Sequence, residues 1–393
     1  MLRALECDVL VVGTGIAGVG AAIGAARAGA RTLLVGDEGG PGGVATAGMH
    51  RSMCGLFRSG SPAPTRPLND GLAQELFDDL TARDRSTGVT ALGRVYVLPF
   101  KTADLVATLQ ARMAAEPALE VRYGTRVVAA EMAEGRVEHV GARDAHGELS
   151  IRPRALVDCS GDGAVVRLAG ATCASTPAGD IQLAGQSMRI VGVADADDML
   201  RLKVPYHLAE ASREGRLPLH ARFTQYIPGD SPGEGYLKLS VPPDRTGREA
   251  RAREDAHRVL RYLQETLPEL RSSRLVECSP RVVEREGQRV EGDYTLTEDD
   301  VLGARKFPDG AVKSAWPIEI WSQEGGLRFE YLPDGEHYEI PLRCLKVAAI
   351  GNAWAAGRCI SATHLAHAST RAMGTCLSLG ETAGGEAARW VRS

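Results

Sequence analysis

Residues 8–35 have the sequence DVLVVGTGIAGVGAAIGAARAGARTLLV, and this stretch decides the fold. Residues 8–12 form an almost continuous apolar run, which predicts a parallel strand covered on both faces. Residues 16–28 are rich in Ala and lack Pro, so they predict a helix that Gly29 ends. Residues 31–35 predict a second strand. A strand, a helix and a strand within about 30 residues require a parallel pair with a right-handed crossover, so we expect an α/β fold.

The turn between the first strand and the helix is Gly13-Thr-Gly15-Ile-Ala-Gly18, which matches the pattern G-x-G-x-x-G. The first glycine permits a tight turn, the second lets backbone N–H groups approach a pyrophosphate, and the third packs helix on strand. Ile16 and Ala17 belong to the first helical turn, whose positive dipole end faces a dianionic group. A structural glycine turn is the alternative. The position between strand and helix favours dinucleotide binding.

The acidic residue that would bind a ribose hydroxyl belongs at the end of the second strand, about 20 residues after the glycine turn. That position holds Gly36, which has no side chain to accept a hydrogen bond, and Asp37 and Glu38 follow it. Either of these two carboxylates reaches the ribose, or water fills the gap. The sequence does not favour one of the two acids.

The composition excludes several classes of protein. A chain of 393 residues suggests about two domains, and 44% hydrophobic with 24% charged residues is ordinary for a globular enzyme. The formal net charge of −4, without a long basic run, gives no reason to expect nucleic-acid binding. No signal-peptide h-region opens the chain, and no apolar run approaches about 18 residues. We therefore expect a cytoplasmic protein with no membrane partner.

None of the eight cysteines lies in a C-x-x-C pair. This absence removes the usual redox dithiol and zinc-ribbon interpretations. Scattered single cysteines in a chain of this size fit reduced, mostly buried thiols in a cytoplasm. We expect no metal site.

Four segments beyond the first turn are each similar to a motif of one family, in the family's order. They are residues 42–48 (GGVATAG), 160–163 (SGDG), 293–318 (DYTLT through WPI), and 356–384 (AGRCISATH through GETAG). Together they resemble the large family of FAD-dependent oxidoreductases of the glutathione-reductase structural type. The likeness is weakest over residues 56–98 and 194–271, where we expect substrate identity to be determined.

The resemblance implies FAD as the cofactor. It also implies a Rossmann-like FAD-binding domain of parallel sheet and helices, with an inserted mixed β/α substrate domain. We expect the first domain in residues 1–182, with a helical and loop excursion at about 56–98, and again in residues 342–393. The substrate domain is then expected in residues 183–341.

Cofactor contacts are implied by the resemblance for residues in or near these motifs: Gly42, Gly43, Thr46, Val127, Ser160, Gly161, Asp162, Gly357, Arg358 and Ser361. Gly357 and Arg358 also suit this role chemically, because backbone N–H groups and a cation can meet phosphate or flavin carbonyls. A surface salt bridge is the alternative for Arg358. A small-residue helix predicted over residues 369–391 would direct its N-terminal dipole at the pyrimidine end of the flavin.

Two clusters supply the catalytic candidates. On a helix, His364, His367 and Arg371 would share one face, where they could bind a substrate carboxylate or move a proton. Capping or packing of the helix is the alternative. His50 and Arg51 follow the second glycine loop, where such proteins bring side chains near the flavin ring. Cys54 lies there too, so covalent flavin on His or Cys is a further, less common alternative.

The functional hypothesis is an FAD-dependent enzyme that dehydrogenates a small or secondary-metabolite substrate by hydride transfer to flavin N5. His364 or His50 would manage the proton, and Arg371 or Arg51 would orient an anionic group. An FAD-dependent monooxygenase is the alternative, because residues 162–167 (DGAVVR) are similar to a motif of those enzymes. Residues 357–358 depart from it, because such enzymes carry Gly–Asp there. A flavin-binding sensor without turnover is a third possibility, and a homodimer is left open.

Overall fold

The computed structural model describes residues 3–194 and 199–393, and every candidate site residue lies within them. In this part of the chain, strands and helices are mixed throughout. The strands are β1 Arg3–Val12, β2 Thr32–Val35, β3 Ser52–Met53, β4 Thr90–Leu92, β5 Val95–Pro99, β6 Leu119–Arg122, β7 Arg126–Ala133, β8 Arg136–Asp144, β9 Gly147–Asp158, β10 Cys173–Ala174, β11 Ala184–Val191, β12 Gln225–Pro228, β13 Glu234–Val241, β14 Arg274–Cys278, β15 Arg289–Val290, β16 Gly310–Ser314, β17 Ile318–Ser322, β18 Gly326–Glu330, β19 Tyr338–Pro341 and β20 Ala353–Ala355.

The helices are α1 Ile16–Arg27, α2 Val44–Ala47, α3 Leu72–Arg83, α4 Thr102–Ala114, α5 Ala164–Leu168, α6 Leu200–Arg213, α7 Arg248–Thr266, α8 Glu298–Leu302, α9 His364–Thr370 and α10 Met373–Arg392. The sequence-based expectation of helix, strand and glycine turn over residues 8–35 is confirmed by β1, α1 and β2. The Rossmann-like α/β class is confirmed with it.

The largest sheet has the order β6-β2-β1-β9-β8-β7, with β20 paired to β9. Strands β6, β2, β1, β9 and β20 run parallel, so their carboxyl ends lie at one edge of the sheet. The apolar run of β1 is fully buried, because helices cover the sheet. A strand from the C-terminal part of the chain therefore joins the N-terminal strands in one sheet.

Helices α1 and α10 pack with their backbones almost in contact. An ideal Cβ on Gly384 would lie 1.9 Å from the Ala21 carbonyl oxygen, and one on Gly24 would lie 2.3 Å from the Glu381 carbonyl oxygen. Glycine is needed at these positions because any side chain would collide with the partner backbone. The small residues of α10 thus hold the end of the chain against its first helix.

A second, antiparallel sheet has the order β12-β13-β11-β14. Alternation along a strand gives it two different faces. On one face, Met188 and Leu237 pack in a core with α6 and α7. The opposite face carries Ser187 and Lys238, which are paired in register and line a cavity. This sheet lies within the range expected for the substrate domain, although the boundaries at 182 and 341 stay a prediction.

Some elements differ from the sequence-based expectation. The small-residue helix expected over residues 369–391 is two helices, because Ala372 has an extended backbone between them (φ −62°, ψ 138°). The second glycine loop, residues 42–48, contains the single-turn helix α2. Strand β8 and helix α6 were not expected; α6 contains Pro205, a residue that normally argues against a helix interior.

Candidate functional site

A cavity of about 510 Å³ opens at the carboxyl edge of the parallel strands. Sixteen of the residues expected to contact a cofactor or substrate line it: Gly13, Gly15, Ile16, Ala17, Asp37, Glu38, Gly42, Gly43, His50, Val127, Ser160, Gly161, Asp162, Gly357, Arg358 and Arg371. The structure therefore brings together residues from both ends of the chain. Gly18, Thr46, Arg51, Ser361 and His364 are not among the lining residues.

The glycine turn has the geometry that its spacing predicts. Gly13 has φ +110°, and an ideal Cβ there would lie 2.4 Å from the Cys159 carbonyl oxygen. A Cβ on Gly18 would lie 1.6 Å from the Gly13 carbonyl oxygen, so Gly18 packs helix on strand and does not face the cavity. Gly15 is the N-cap of α1 and provides no side-chain cap. The first N–H groups of α1 are therefore free to bind an anion in the cavity.

The missing acid at the end of β2 has a steric cause. An ideal Cβ on Gly36 would lie 2.8 Å from Cγ2 of Thr14, whose side chain fills that position. The two acids that follow are held apart. Glu38 accepts a hydrogen bond from Thr14 Oγ1 at 3.1 Å, whereas Asp37 pairs with Arg126 at 2.6 Å. Both carboxylates line the cavity, so the choice between them for a ribose stays open.

The second glycine loop lies directly against the first. The Gly42 N–H donates to the Thr14 carbonyl at 2.9 Å, and a Cβ on Gly43 would lie 2.7 Å from Gly15 Cα. Thr46 Oγ1 donates to the Gly43 carbonyl at 3.0 Å. Thr46 therefore stabilises the loop by this hydrogen bond and does not line the cavity. The direct cofactor contact that the resemblance implies for Thr46 stays a prediction.

Two side chains hold the loop after β9. The buried carboxylate of Asp158 accepts from the Ser160 N–H at 3.0 Å and from the Val165 N–H at 2.8 Å. Arg358 donates to the Gly161 carbonyl and to the Asp162 carboxylate, both at 2.8 Å. Its guanidinium also donates to the Glu284 carbonyl at 2.6 Å. Arg358 thus lines the cavity and joins two of its loops as a clamp. Each of its three guanidinium nitrogens already donates to a protein oxygen.

A second uncapped helix N-terminus faces the same cavity. Helix α9 follows the Gly–Arg segment, but the Thr363 side chain caps it and its first residues lie elsewhere. Helix α10 has Ala372 as its N-cap and no side-chain cap, and Ala372, Met373 and Cys376 line the cavity. The dipole expected from one long C-terminal helix is therefore supplied by α10. Ser361 bonds Thr295 Oγ1 at 3.1 Å instead of facing the cavity.

Two of the four expected catalytic residues lie away from the cavity. Arg51 pairs with Asp230 and covers the ring of Tyr236, with its guanidinium carbon 5.0 Å from the ring centre. His364 contacts Glu286, with 3.2 Å between His364 Nδ1 and Glu286 Oε2. His364 begins α9 and Arg371 follows its end, which separates them by about 10 Å along the axis. Only the Arg371 end of this helix lines the cavity, and a catalytic role for Arg51 or His364 stays a prediction.

His50 and Arg371 do line the cavity. Arg371 Nη2 donates to the Glu319 carbonyl at 2.9 Å, which orients the guanidinium. Burial, followed by the positive charges of Lys238, Arg285 and Arg371, holds the pKa of His50 well below its usual range. His50 is therefore neutral near pH 7, with one ring nitrogen able to accept a proton. Burial, with a smaller contribution from Glu319, raises the pKa of the neighbouring Cys54 thiol to about 12.

Sequence reasoning missed Lys238, Arg285 and Glu319, which line the cavity beside His50. Glu319 accepts from Trp316 Nε1 at 2.9 Å and from Trp321 Nε1 at 2.6 Å. Burial opposes ionisation of Glu319, but Arg371, the hydrogen bonds and Lys238 outweigh it and lower its pKa. Lys238 lies on β13 of the second sheet, and Arg285 lies between β14 and β15. No local motif marks either of them. Glu319 lies on β17, which pairs with β18 in a separate sheet, and the nearest sequence signal was the segment Trp316-Pro317-Ile318 directly before it.

Across residues 3–194 and 199–393, no three or more His, Cys, Asp or Glu side chains are grouped to hold a metal ion. No helix in these ranges is both long and apolar enough to cross a membrane.

The sequence model of one protein family, described as FAD dependent oxidoreductase, matches residues 8–393. No curated protein matches the chain. The assignment to the glutathione-reductase structural type within FAD enzymes, implied by the motifs, stays a prediction.

Several solved structures are similar to this chain at low identity. A geranylgeranyl bacteriochlorophyll reductase-like protein from Thermoplasma acidophilum is 14% identical over 99% of this chain and 78% of its own, with a TM-score of 0.47. A p-nitrophenol 4-monooxygenase from Pseudomonas putida DLL-E4 is 14% identical over 75% of this chain and 71% of its own, with a TM-score of 0.46. An anhydrotetracycline hydroxylase from Streptomyces rimosus is 16% identical over 74% of this chain and 55% of its own, with a TM-score of 0.47.

Proposed function

The chain belongs to the family of FAD-dependent oxidoreductases, and on that premise we propose that it dehydrogenates a small organic substrate. The substrate loses a hydride and a proton, either from a C–H bond and the heteroatom beside it, or from the C–H bonds of two adjacent carbon atoms. When bound, FAD supplies the acceptor for the hydride at its N5 atom. The substrate would lie in the part of the cavity walled by His50, Lys238, Glu319 and Arg371.

One observation carries this proposal: two helix N-termini without side-chain caps face one cavity. A diphosphate fits the start of α1, because Gly15, Ile16 and Ala17 present backbone N–H groups to it. The pyrimidine end of a flavin fits the start of α10, where the helix dipole favours negative charge. Gly357 lies close to Ala17: an ideal Cβ on Gly357 would be 2.8 Å from the Ala17 Cβ. Position 357 therefore has no room for a larger residue.

Other residues hold the remaining parts of the cofactor. Asp37 or Glu38 accepts hydrogen bonds from the ribose hydroxyls. Val127 would hold the adenine, and the loop at Ser160–Asp162 would contact another part of the cofactor. All of these are cavity-lining groups, and none needs a change of backbone to reach a ligand there.

Side chains around the substrate accept its proton and orient it. Neutral His50 takes the proton from a substrate hydroxyl or amine at a ring nitrogen as the C–H bond is broken. Arg371 is fixed by Glu319, so it binds and orients the substrate without moving. Aromatic walls at Trp316 exclude water from this end of the cavity.

A monooxygenase is the second candidate, and the observation that favours it is the Asp162-Gly163 pair, of which Asp162 lines the cavity. The Arg that completes the corresponding motif, Arg167, is exposed on α5 and does not line the cavity. Gly357-Arg358 also stands where such enzymes have Gly–Asp. These two departures are the reason for proposing dehydrogenation before monooxygenation.

The experiment has two stages. The purified protein should be yellow, and heating should release FAD in a ratio near one per chain. The holoenzyme is then mixed anaerobically with amino acids, amines and hydroxy acids, and the loss of visible flavin absorbance identifies reductants. Bleaching without oxygen supports dehydrogenation. Incorporation of isotopically labelled dioxygen into the product assigns monooxygenation instead, and a protein that takes up no FAD contradicts both.

A further inference from the structure

The charged residues that line the cavity divide into two groups. At the end with the glycine loops, each charged residue has a partner of opposite charge. The pairs are Arg126 with Asp37, Arg281 with Glu38, Arg358 with Asp162, and Arg248 with Glu284. At the other end lie Lys238, Arg285, Arg371 and a single carboxylate, Glu319. Three cations thus face one carboxylate in the part of the cavity that the proposed function gives to the substrate.

The carboxylate of Glu319 is already engaged. Its two oxygens accept from the indole N–H groups of Trp316 and Trp321, and Arg371 Nη2 lies 3.8 Å from Oε1. Arg371 is therefore the cation that Glu319 neutralises. Lys238 and Arg285 are left without a counter-ion of their own.

Arg285 is more than nine-tenths buried, with 8% of its surface exposed. Its Nη1 donates to the carbonyls of Leu183 and Ala184, and its guanidinium carbon lies 4.0 Å from the ring centre of Trp321. Among residues 3–194 and 199–393, no acceptor bonds its Nη2 atom. A buried, unpaired cation of this kind is costly unless a ligand supplies the missing charge.

Lys238 stands on β13 opposite Ser187, whose hydroxyl donates to the Gly48 carbonyl at 2.7 Å. This hydrogen bond holds β11, the strand that pairs with β13, against the second glycine loop. In the described part of the chain, no carboxylate or carbonyl pairs with the Lys238 ammonium, and the side chain is only partly covered. Burial and then Arg285 lower the pKa of Lys238 to about 8, while Glu319 and Cys54 oppose the shift and Arg371 adds to it.

We propose that the substrate carries a carboxylate, which binds the ammonium of Lys238 directly, with Arg285 behind it supplying further positive charge. The inference rests on the proposed function, because it concerns the substrate end of the same cavity. An ammonium makes a charge-assisted hydrogen bond with a carboxylate, and the partial exclusion of water strengthens that bond. A neutral amide of the same shape cannot supply the missing negative charge.

Binding of two isosteric pairs tests this. The FAD-loaded protein is titrated with benzoate and benzamide, and with acetate and acetamide, and binding is followed by tryptophan fluorescence and flavin absorbance. We expect at least about a ten-fold preference for the carboxylate, a difference of about 1.4 kcal/mol. Preference for the carboxylate in neither pair overturns the proposal.

Variants assign the preference to the lysine. Lys238→Met should reduce the preference for carboxylates strongly, to what Arg285 alone supports, and weaken amide binding much less, whereas Lys238→Arg should keep the preference. Raising the pH through about 8 should weaken benzoate binding to the wild-type protein, because Lys238 then loses its proton. Lys238→Arg should lack this pH dependence. The exposed residue Lys313 gives the control Lys313→Met, which should behave as wild type.

Equal weakening of benzoate and benzamide in Lys238→Met contradicts the proposal, because it indicates a role in shape or folding. The two failures are distinguishable. If the protein takes up no FAD, the proposed function is wrong, and the same titrations followed by tryptophan fluorescence still test the carboxylate site. If FAD binds and the carboxylates show no advantage, only this inference is wrong.

Discussion

An ideal Cβ built on Gly380 of α10 would lie 1.9 Å from the carbonyl oxygen of Ala17 in α1. A contact this close leaves no space for a methyl group, and both helices would have to separate. We therefore expect Gly380→Ala to lower the free energy of unfolding by about 3 kcal/mol or more, as in other overpacked cores. Chemical denaturation of the wild-type and variant proteins measures this change.

Gly385 provides a matched control on the same helix. A Cβ there would meet only the flexible side chain of Arg389, at 3.6 Å. Gly385→Ala should raise the free energy of unfolding by up to about 1 kcal/mol, because alanine favours the helix. Opposite signs for the two substitutions are the expected result, and equal effects would show that helix propensity, not close packing, governs both positions.

Gly15→Asp tests the diphosphate site. Gly15 has an ordinary φ of −67°, and an added Cβ would have its nearest neighbour, Gly43 Cα, at 4.0 Å, so the variant should fold. Its carboxylate would repel a diphosphate and cap the helix in place of it. We expect FAD affinity to fall at least about ten-fold, measured by titrating the apoprotein and following flavin fluorescence. The exposed residue Gly179 gives the control Gly179→Asp, which should bind FAD as the wild type does.

His367 should make the protein less stable in acid. It is fully buried, and among the described residues no partner bonds either ring nitrogen. Burial and then Arg289 hold the pKa of His367 well below the ordinary value of 6.5. The unfolded chain therefore binds a proton that the folded chain refuses, and stability falls as the pH drops below about 6.5.

The variant His367→Leu removes that proton uptake. Between about pH 6 and about pH 5, its unfolding free energy should fall less steeply than that of the wild type, by about 1 kcal/mol per pH unit. Urea denaturation at a series of pH values measures both slopes. His146, exposed in the turn between β8 and β9, gives the control His146→Leu. An unchanged slope in His367→Leu would show that His367 is protonated in the folded protein.

Arg358 and Asp162 should be energetically coupled, because they join two loops of the cavity wall at 2.8 Å. A double-mutant cycle with Arg358→Gln and Asp162→Asn should give a coupling energy of about 1 kcal/mol in the apoprotein. The single change Arg358→Gln should cost more than Asp162→Asn, since it also loses bonds to the Gly161 and Glu284 carbonyls. Additive single effects would mean that the pair does not act as a clamp.

Local patterns marked many of the residues that line the cavity. The strand, turn and helix at Gly13–Gly18 follow from spacing alone, because glycine is required wherever backbones nearly touch. The motifs at Gly42, Ser160 and Gly357 were found by resemblance, and the structure brings them to one cavity. The sequence could not place His364 relative to the cavity. Helical spacing shows which residues share a face but not which end of that face meets the cavity.

By itself, the sequence determined the α/β class and the first βαβ unit, since these depend on spacing and apolar pattern within about 30 residues. The tertiary structure alone decided that α10, not α9, directs its dipole into the cavity. It alone decided that Lys238 and Arg285, far apart in the chain from the glycine turn, line the same space. The physical reason is that charge balance in a cavity is a property of all its walls, and the walls come from segments separated by hundreds of residues.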